Sequence, residues 1–148
     1  MADLIDILVV GAGPAGANAA LAATRHGKHV VLLDEQEKPG GQVWRAKDSS
    51  IISAPQTPES SAGDILRAQV TKAQIDHRGS TRIWQIERQS EGWAVHVLRD
   101  GEVERLTSKT LVLATGAREF VQPIPGWTKP GVFGLAGATA LFKQNLSP

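Results

Sequence analysis

Apolar and polar positions in the first third of the chain predict a strand, a helix and a second strand. An apolar run at residues 6–10 leads through a glycine-rich turn into an alanine-rich segment at 14–26, which favours a helix that ends at Gly27. A second apolar run at 29–33 has few polar interruptions, as in parallel strands that are covered on both faces. We therefore expect residues 1–45 to form a right-handed β-α-β unit.

The middle of the chain predicts a loop, a helix and a small antiparallel meander. Residues 46–62 are rich in Ser and Pro and are expected to form a surface loop. Apolar residues recur at close to helical spacing over 63–76, which predicts a second helix. The pair Asp100-Gly101 is a strong hairpin signal. Alternating apolar residues predict three short strands that complete the segment 63–109, at 81–86, 93–98 and 103–106.

The last segment, residues 110–148, predicts a third buried parallel strand, an irregular crossover and a tail helix. The strand at 110–114 ends in a turn of small residues, and the apolar pattern of 134–145 favours a helix. The predicted fold class is therefore α/β. We expect a Rossmann-like parallel sheet with helices on one face and the antiparallel meander on the other.

The turn between the first strand and the first helix carries the pattern Gly-x-Gly-x-x-Gly. Gly11 makes the turn, Gly13 lets backbone amides approach a pyrophosphate, and Gly16 lets the helix pack closely on the strand. The helix N-terminus then directs unpaired amides and its positive dipole end at the phosphates. The pattern and its context predict a dinucleotide site.

Two further segments are candidates for the same site. Asp34 ends the second strand, near the spacing of roughly 20 residues that is expected for a carboxylate on an adenosine ribose, and Glu35 is the alternative. The pair Gly40-Gly41 forces a turn that brings backbone amides against a ligand, unless it is an ordinary loop. Gln42 and Arg45 follow this turn.

Composition and charge favour a small-molecule partner. The chain has 16 basic and 15 acidic side chains, and no run of Lys or Arg marks a nucleic-acid or anionic-membrane surface. It has no cysteine, which excludes a disulfide framework and a thiolate metal site. The four histidines lack metal-ligand spacing, so we predict no metal site. No apolar stretch approaches the ~20 residues that span a bilayer, and we expect no membrane span and a cytoplasmic protein.

These motifs resemble the two-dinucleotide-domain flavoproteins, which include the glutathione-reductase-like and thioredoxin-reductase-like enzymes. The first glycine turn with Asp34 resembles their FAD pyrophosphate and ribose site, and Gly40-Gly41 resembles their second glycine pair. The segments 114–116 and 124–126 resemble the Ala-Thr-Gly strand end and the crossover that follows it. Within the family, residues 34–45 and 125–132 are most similar to the FAD subunits of hydrogen cyanide synthase, opine oxidase and amino-acid dehydrogenases.

The resemblance implies an FAD-dependent oxidoreductase subunit that oxidises the C–N bond of an amino acid or opine, with FAD as hydride acceptor. It implies partner subunits of a heteromeric dehydrogenase and assigns no catalytic residue within this chain. The implied FAD contacts are Gly11, Ala12, Gly13, Pro14, Ala15, Gly16, Asp34, Glu35, Gln36, Gly41, Gln42, Arg45, Ile83, Ala114, Thr115 and Gly116.

The chain departs from the family in two respects. Disulfide-reducing members carry cysteines, whereas Val43 and Trp44 follow the second glycine pair here, which excludes a dithiol relay. The family's second nucleotide domain, which binds NAD(P), and its closing FAD segment do not occur before Pro148. We therefore expect the N-terminal part of an FAD domain, inactive alone. The alternatives are an NAD(P)H-dependent, ferredoxin-reductase-like flavoprotein reductase and a nucleotide-binding structural subunit without turnover.

Overall fold

The computed structural model describes residues 4–46, 56–143 and 146, and the chain divides into two compact units. The first unit comprises the described residues up to 46 together with 57–116, and the second includes 117–143. The elements in chain order are β1 (Ile5–Val10), α1 (Pro14–Arg25), β2 (Val30–Leu33), α2 (Pro58–Lys72), β3 (Asp76–Arg78), β4 (Arg82–Gln89), β5 (Gly92–Arg99), β6 (Glu102–Leu113) and α3 (Leu135–Lys143).

Six strands of the described chain form one sheet in the order β3-β2-β1-β6-β5-β4. The strands β3, β2, β1 and β6 are parallel, and β5 and β4 continue the sheet in antiparallel pairing. The two strands predicted at 103–106 and 110–114 are in fact one continuous strand, β6. Ser108, which is fully buried, pairs with Ile5 of β1 on one side and with Trp93 of β5 on the other.

Different elements pack on the two faces of the parallel strands. Val9 and Leu32 belong to a buried cluster with apolar residues of α1 and α2. Their neighbours in β1 and β2, which point the opposite way, pack against Val95 and Val97 of β5. An ion pair of 3.4 Å between Arg78 and Glu104 also joins β3 to the meander half of β6. The predicted α/β fold, with helices on one face and the meander on the other, is therefore confirmed.

The helix α1 begins and ends close to the predicted positions. Gly13 is its N-cap, in an extended conformation with φ −66° and ψ −179°, and Pro14 occupies the first helical position, where its missing N–H costs nothing. His26 is the C-cap, and Gly27 follows with a φ of +68°. Small buried residues on one face, among them Gly16 and Ala20, let the helix lie close to the sheet.

The helix α2 begins earlier and ends earlier than predicted. Thr57 caps it in a reciprocal capping box, in which Ser60 N donates to Thr57 Oγ1 (3.2 Å) and Thr57 N donates to Ser60 Oγ (2.8 Å). Residues 58–62, predicted as part of a loop, therefore form the first turn of the helix. The residues after Lys72 make a turn and then β3, a three-residue strand that is too short to produce a detectable alternation.

The second unit contains α3, which confirms a helix within the predicted segment 134–145; residues 144 and 145 lie outside the described part of the chain. Glu119 Oε2 accepts a hydrogen bond of 3.0 Å from Ala136 N in the first turn of this helix. None of the residues of α3 is buried. Within the described residues, no helix has both the length and the apolar character needed to cross a membrane.

Candidate dinucleotide-binding site

The first glycine turn joins β1 to α1 and is built from backbone contacts that leave no room for side chains at two positions. Gly11 has a φ of +99°, and its N–H donates to Leu33 O (2.8 Å). A Cβ on Gly11 would overlap the carbonyl of Ala114, and a Cβ on Gly16 would overlap the carbonyl of Gly11. The fold itself therefore requires glycine at positions 11 and 16.

Gly13 differs from its two neighbours in the motif. Its φ is negative, and a Cβ built on it would meet only the Cα of Gly41, at 4.0 Å, which is an ordinary van der Waals distance. The protein therefore has no steric need for glycine at position 13. The space that a side chain would fill lies at the N-terminus of α1, as expected where a ligand approaches the backbone.

The N-terminus of α1 is uncapped within the described chain. No side chain caps this end, and no acidic residue lies in the first turn. Pro14 has no N–H, and Ala17 N donates to Gly13 O (2.9 Å). Ala15, at the start of the helix, is exposed. The amides and dipole of this terminus suit an anion such as a phosphate.

A second glycine turn packs directly against the first. Gly40 N donates to Ala12 O (2.8 Å), and a Cβ on Gly41 would lie 2.9 Å from the Cα of Gly13. Gly40 and Gly41 have φ values of +129° and +58°, which only glycine adopts readily. The structure therefore brings the two glycine motifs of the sequence together.

A guanidinium group holds the second glycine turn from behind. Arg67 Nη1 donates to Pro39 O (3.0 Å) and to Trp44 O (2.9 Å), and Arg67 Nη2 lies 2.7 Å from Asp64 Oδ1. Sequence reasoning missed Arg67, because it lies on α2, far along the chain from the turn. The only signal in the sequence would have been an arginine among the apolar positions of a predicted helix.

The carboxylate of Asp34 links the end of β2 to the first glycine turn. Its Oδ2 accepts a hydrogen bond from Ala12 N (2.5 Å), and its Oδ1 accepts one from Gln36 N (2.6 Å). A carboxylate has about four acceptor positions, so each oxygen keeps capacity for a hydroxyl group. Glu35 is exposed and pairs with Arg82 at 3.2 Å. Of the two acids, Asp34 is the one that contacts the turn.

Of the other predicted site residues, Ala114 lies beside the first glycine turn and Ile83 packs against the core. Ala114 follows β6, and its N–H donates to Val10 O (2.8 Å) beside Gly11. The exposed residues Thr115 and Gly116 come directly after it. Ile83 instead packs with its side chain against the core between the sheet and the meander.

Gln42 and Arg45 lie at the open end of the second glycine turn. Arg45 Nη2 donates to Gln42 Oε1 (3.1 Å), and Arg45 Nε is buried without a hydrogen-bond partner in the described part of the chain. The two side chains therefore hold each other beside Gly41. That these two residues contact a bound phosphate stays a prediction.

His77 is a titratable group near the site that sequence reasoning did not select. It lies on β3, opposite Leu32 of β2, and its Nε2 is buried without a hydrogen-bond partner among the described residues. Burial lowers the pKa of His77; the charge of Asp34 opposes this shift, and the charge of Arg99 adds to it. The fold therefore favours the neutral imidazole.

The fold and the two packed glycine turns define a Rossmann-like α/β domain, and comparisons identify its family. A family model described as pyridine nucleotide-disulphide oxidoreductase matches residues 5–147. The chain belongs to this family, which confirms the resemblance drawn from its motifs. Its 148 residues contain no cysteine, so a dithiol is not part of this chain.

Individual relatives support the same assignment. An opine oxidase subunit of Agrobacterium tumefaciens (strain Ach5) is 36% identical over 148 residues, covering 95% of this chain and 29% of that protein. The HcnB subunit of hydrogen cyanide synthase from Pseudomonas protegens is 34% identical, covering 94% and 30%. The crystal structure of L-proline dehydrogenase from P. horikoshii superposes with a TM-score of 0.80 at 23% identity, covering 98% and 29%, which shows the shared fold. The chain thus spans about three tenths of the length of these relatives.

Proposed function

We propose that this chain binds FAD through the ADP half of the cofactor, at the two packed glycine turns. The observation that carries the proposal is Gly13, a glycine that the fold does not need, at the uncapped N-terminus of α1. Membership in the pyridine nucleotide-disulphide oxidoreductase family supports the same cofactor.

The backbone amides and the carboxylate present at the site are groups of the type that bind the ADP half of FAD. The backbone of residues 11–16 would hold the pyrophosphate, and Asp34 would accept hydrogen bonds from the ribose. Gly41, Gln42 and Arg45 would address the phosphates from the second turn, and residues 114–116 would line the far side of the first. When bound, FAD supplies the redox chemistry as a hydride acceptor, and these residues bind and orient it. NAD(P) would bind in a domain outside this chain.

The names of the relatives support a proposal for the substrate class. The matching chains of opine oxidase and hydrogen cyanide synthase are both subunits by name. We infer that this chain belongs to a heteromeric dehydrogenase that oxidises the C–N bond of an amino acid or opine, with partner subunits that carry electrons onward. The NAD(P)H-dependent reductase and the nucleotide-binding structural protein remain the competing hypotheses, and the cytoplasmic location stays a prediction.

Calorimetric titration of the 148-residue chain with ADP, FAD and adenosine tests the site. We expect ADP and FAD to bind and adenosine to bind far more weakly, because the phosphates make the contacts with the glycine turns. The variant Gly13→Ala should lose ADP binding. Its matched control is Gly137→Ala, in α3, where a Cβ would meet no atom within 4 Å. Equal ADP affinity of Gly13→Ala and the native chain would refute the site.

Turnover separates the three functional hypotheses. We expect no turnover by this chain alone, and oxidation of an amino acid or opine when the partner subunits are present. NAD(P)H-driven reduction of an acceptor by the complete protein would instead establish the reductase. Bound FAD that no substrate reduces would indicate the structural role.

A further inference from the structure

The guanidinium of Arg67 occupies a narrow slot between α2 and the second glycine turn. The Arg67 side chain is only 18% exposed. Its Nη1 donates to the carbonyls of Pro39 and Trp44, which bracket the turn, at 3.0 and 2.9 Å. Nη1 thereby contacts both ends of the turn while Nη2 pairs with Asp64, a fixed planar arrangement that the flexible, single ammonium of a lysine would not reproduce.

Glycines on both sides make room for this guanidinium. A Cβ on Gly40 would lie 2.9 Å from Nη1 of Arg67, and a Cβ on Gly63 would lie 3.0 Å from Nη2. The Cβ position of Gly63 is also 2.9 Å from the Cβ of Trp44. The slot therefore depends on glycine in the turn and on glycine in the helix, and it fits the flat side chain that fills it.

The opposite side of the same turn faces the candidate phosphate site. There Gly40 N donates to Ala12 O (2.8 Å), and Gly41 lies against Gly13. We propose that Arg67 is a positioning residue for the nucleotide: from α2 it sets the second glycine turn against the first and so determines the affinity for the ADP phosphates. This inference rests on the proposed FAD site.

A simpler role for Arg67 is the ion pair with Asp64, three residues earlier on the same helix. Asp64 is 57% exposed, and exposed pairs of this kind contribute little to stability. The hydrogen bonds from Arg67 to the carbonyls of Pro39 and Trp44 should contribute more than this ion pair. Pro39 is buried, and a buried acceptor that loses its partner costs free energy. Mutating Asp64 removes only the ion pair, whereas mutating Arg67 also removes the hydrogen bonds to the turn, so the two variants distinguish these roles.

The experiment compares Arg67→Met and Arg67→Lys with two controls on α2, Asp64→Asn and Lys72→Met. Calorimetry measures the ADP affinity, and NMR hydrogen exchange measures the amides of Gly40 and Trp44, which donate to Ala12 O and Gly40 O. We expect ADP affinity to fall by about tenfold or more in Arg67→Met, with faster exchange at these two amides and little change in the strands. Arg67→Lys should lie between, and both controls should stay within about twofold of the native chain.

Three outcomes are distinguishable. If the native chain binds ADP and Arg67→Met binds it equally well, the positioning role is wrong and the FAD site stands. If the native chain does not bind ADP, the proposed function fails, and the role of Arg67 in nucleotide binding fails with it. If Arg67→Met does not fold, Arg67→Lys decides: native affinity together with native exchange at Gly40 would overturn the inference.

Discussion

Gly13 and Gly41 face each other backbone to backbone, but only one of them is sterically required to be glycine. A Cβ on Gly41 would lie 2.9 Å from the Cα of Gly13, whereas a Cβ on Gly13 would lie 4.0 Å from the Cα of Gly41. Gly41 also has a φ of +58°. The backbone of the fold thus requires glycine at position 41 but not at position 13.

This asymmetry predicts different effects of the same substitution. Gly41→Ala should lower the free energy of unfolding by about 1–2 kcal/mol, because a side chain is strained at positive φ and the close contact must open. Gly13→Ala should cost about 1 kcal/mol or less, the scale of an N-cap change. Urea denaturation of both variants measures the difference. A larger loss for Gly13→Ala would mean that its site is sterically closed.

The second prediction distinguishes the two neighbouring acids. Asp34→Ala should weaken ADP binding by about 1–3 kcal/mol, since it removes a charged hydrogen-bond acceptor. Glu35→Ala should leave ADP affinity nearly unchanged, because its carboxylate is exposed and faces Arg82. Calorimetry with ADP compares them. The ribose assignment moves to Glu35 if the effects are reversed, and it is lost if neither variant binds more weakly.

The third prediction concerns the cap of α2. Thr57→Ala should destabilise the chain by about 1 kcal/mol, because it removes the side-chain acceptor for Ser60 N. Thr71→Ala, near the other end of the helix, is the control: Thr71 Oγ1 donates to Arg67 O one turn earlier, a hydrogen bond within the helix that adds little. Thermal unfolding followed by circular dichroism measures both. Equal melting temperatures of the two variants would contradict the capping role.

Sequence patterns predicted the parts of this fold that depend on neighbouring residues. The β-α-β unit and its glycine turn follow from local apolar runs and from Gly11, Gly13 and Gly16. The predicted start of α2 was wrong because the first turn of this helix is polar, so only the cap residue Thr57, the proline that follows it and the acidic Glu59 mark the start. The continuity of β6 was missed because polar residues surround Ser108, where the strand changes partners from β5 to β1.

Tertiary contacts at the candidate site were less accessible to sequence reasoning. Gly41 was chosen correctly as part of a tight turn, but its contact with Gly13 depends on how two loops meet in space. Arg67 acts on Pro39 and Trp44 from another helix, and no local periodicity encodes that contact. Such long-range backbone contacts are visible only once the sheet and helices are assembled.

The fourth prediction concerns pH. Burial lowers the pKa of His77 from its ordinary value of 6.5, so the unfolded chain binds a proton at a higher pH than the folded chain does. Stability from the neutral imidazole is present above pH 6.5 and declines as pH falls toward the folded pKa. His77→Gln should flatten the stability profile between about pH 7 and pH 5. Urea unfolding across this range tests it, and an unchanged slope in His77→Gln would contradict it.

The last prediction concerns the outer edge of β6. Residues 109–113 pair with β1, and no strand of the described chain pairs with their other side. Leu113 at this edge is 63% exposed, and unpaired strand edges associate unless charge protects them. We therefore expect this chain to self-associate as its concentration rises, and Leu113→Lys to reduce the association.

Leu98→Lys is the control, because Leu98 is also exposed but lies on β5, which is paired on both sides. Sedimentation velocity measures the species present. Equal reduction by both variants would assign the association to apolar surface in general, and a monomer at all concentrations would show that the edge of β6 is protected.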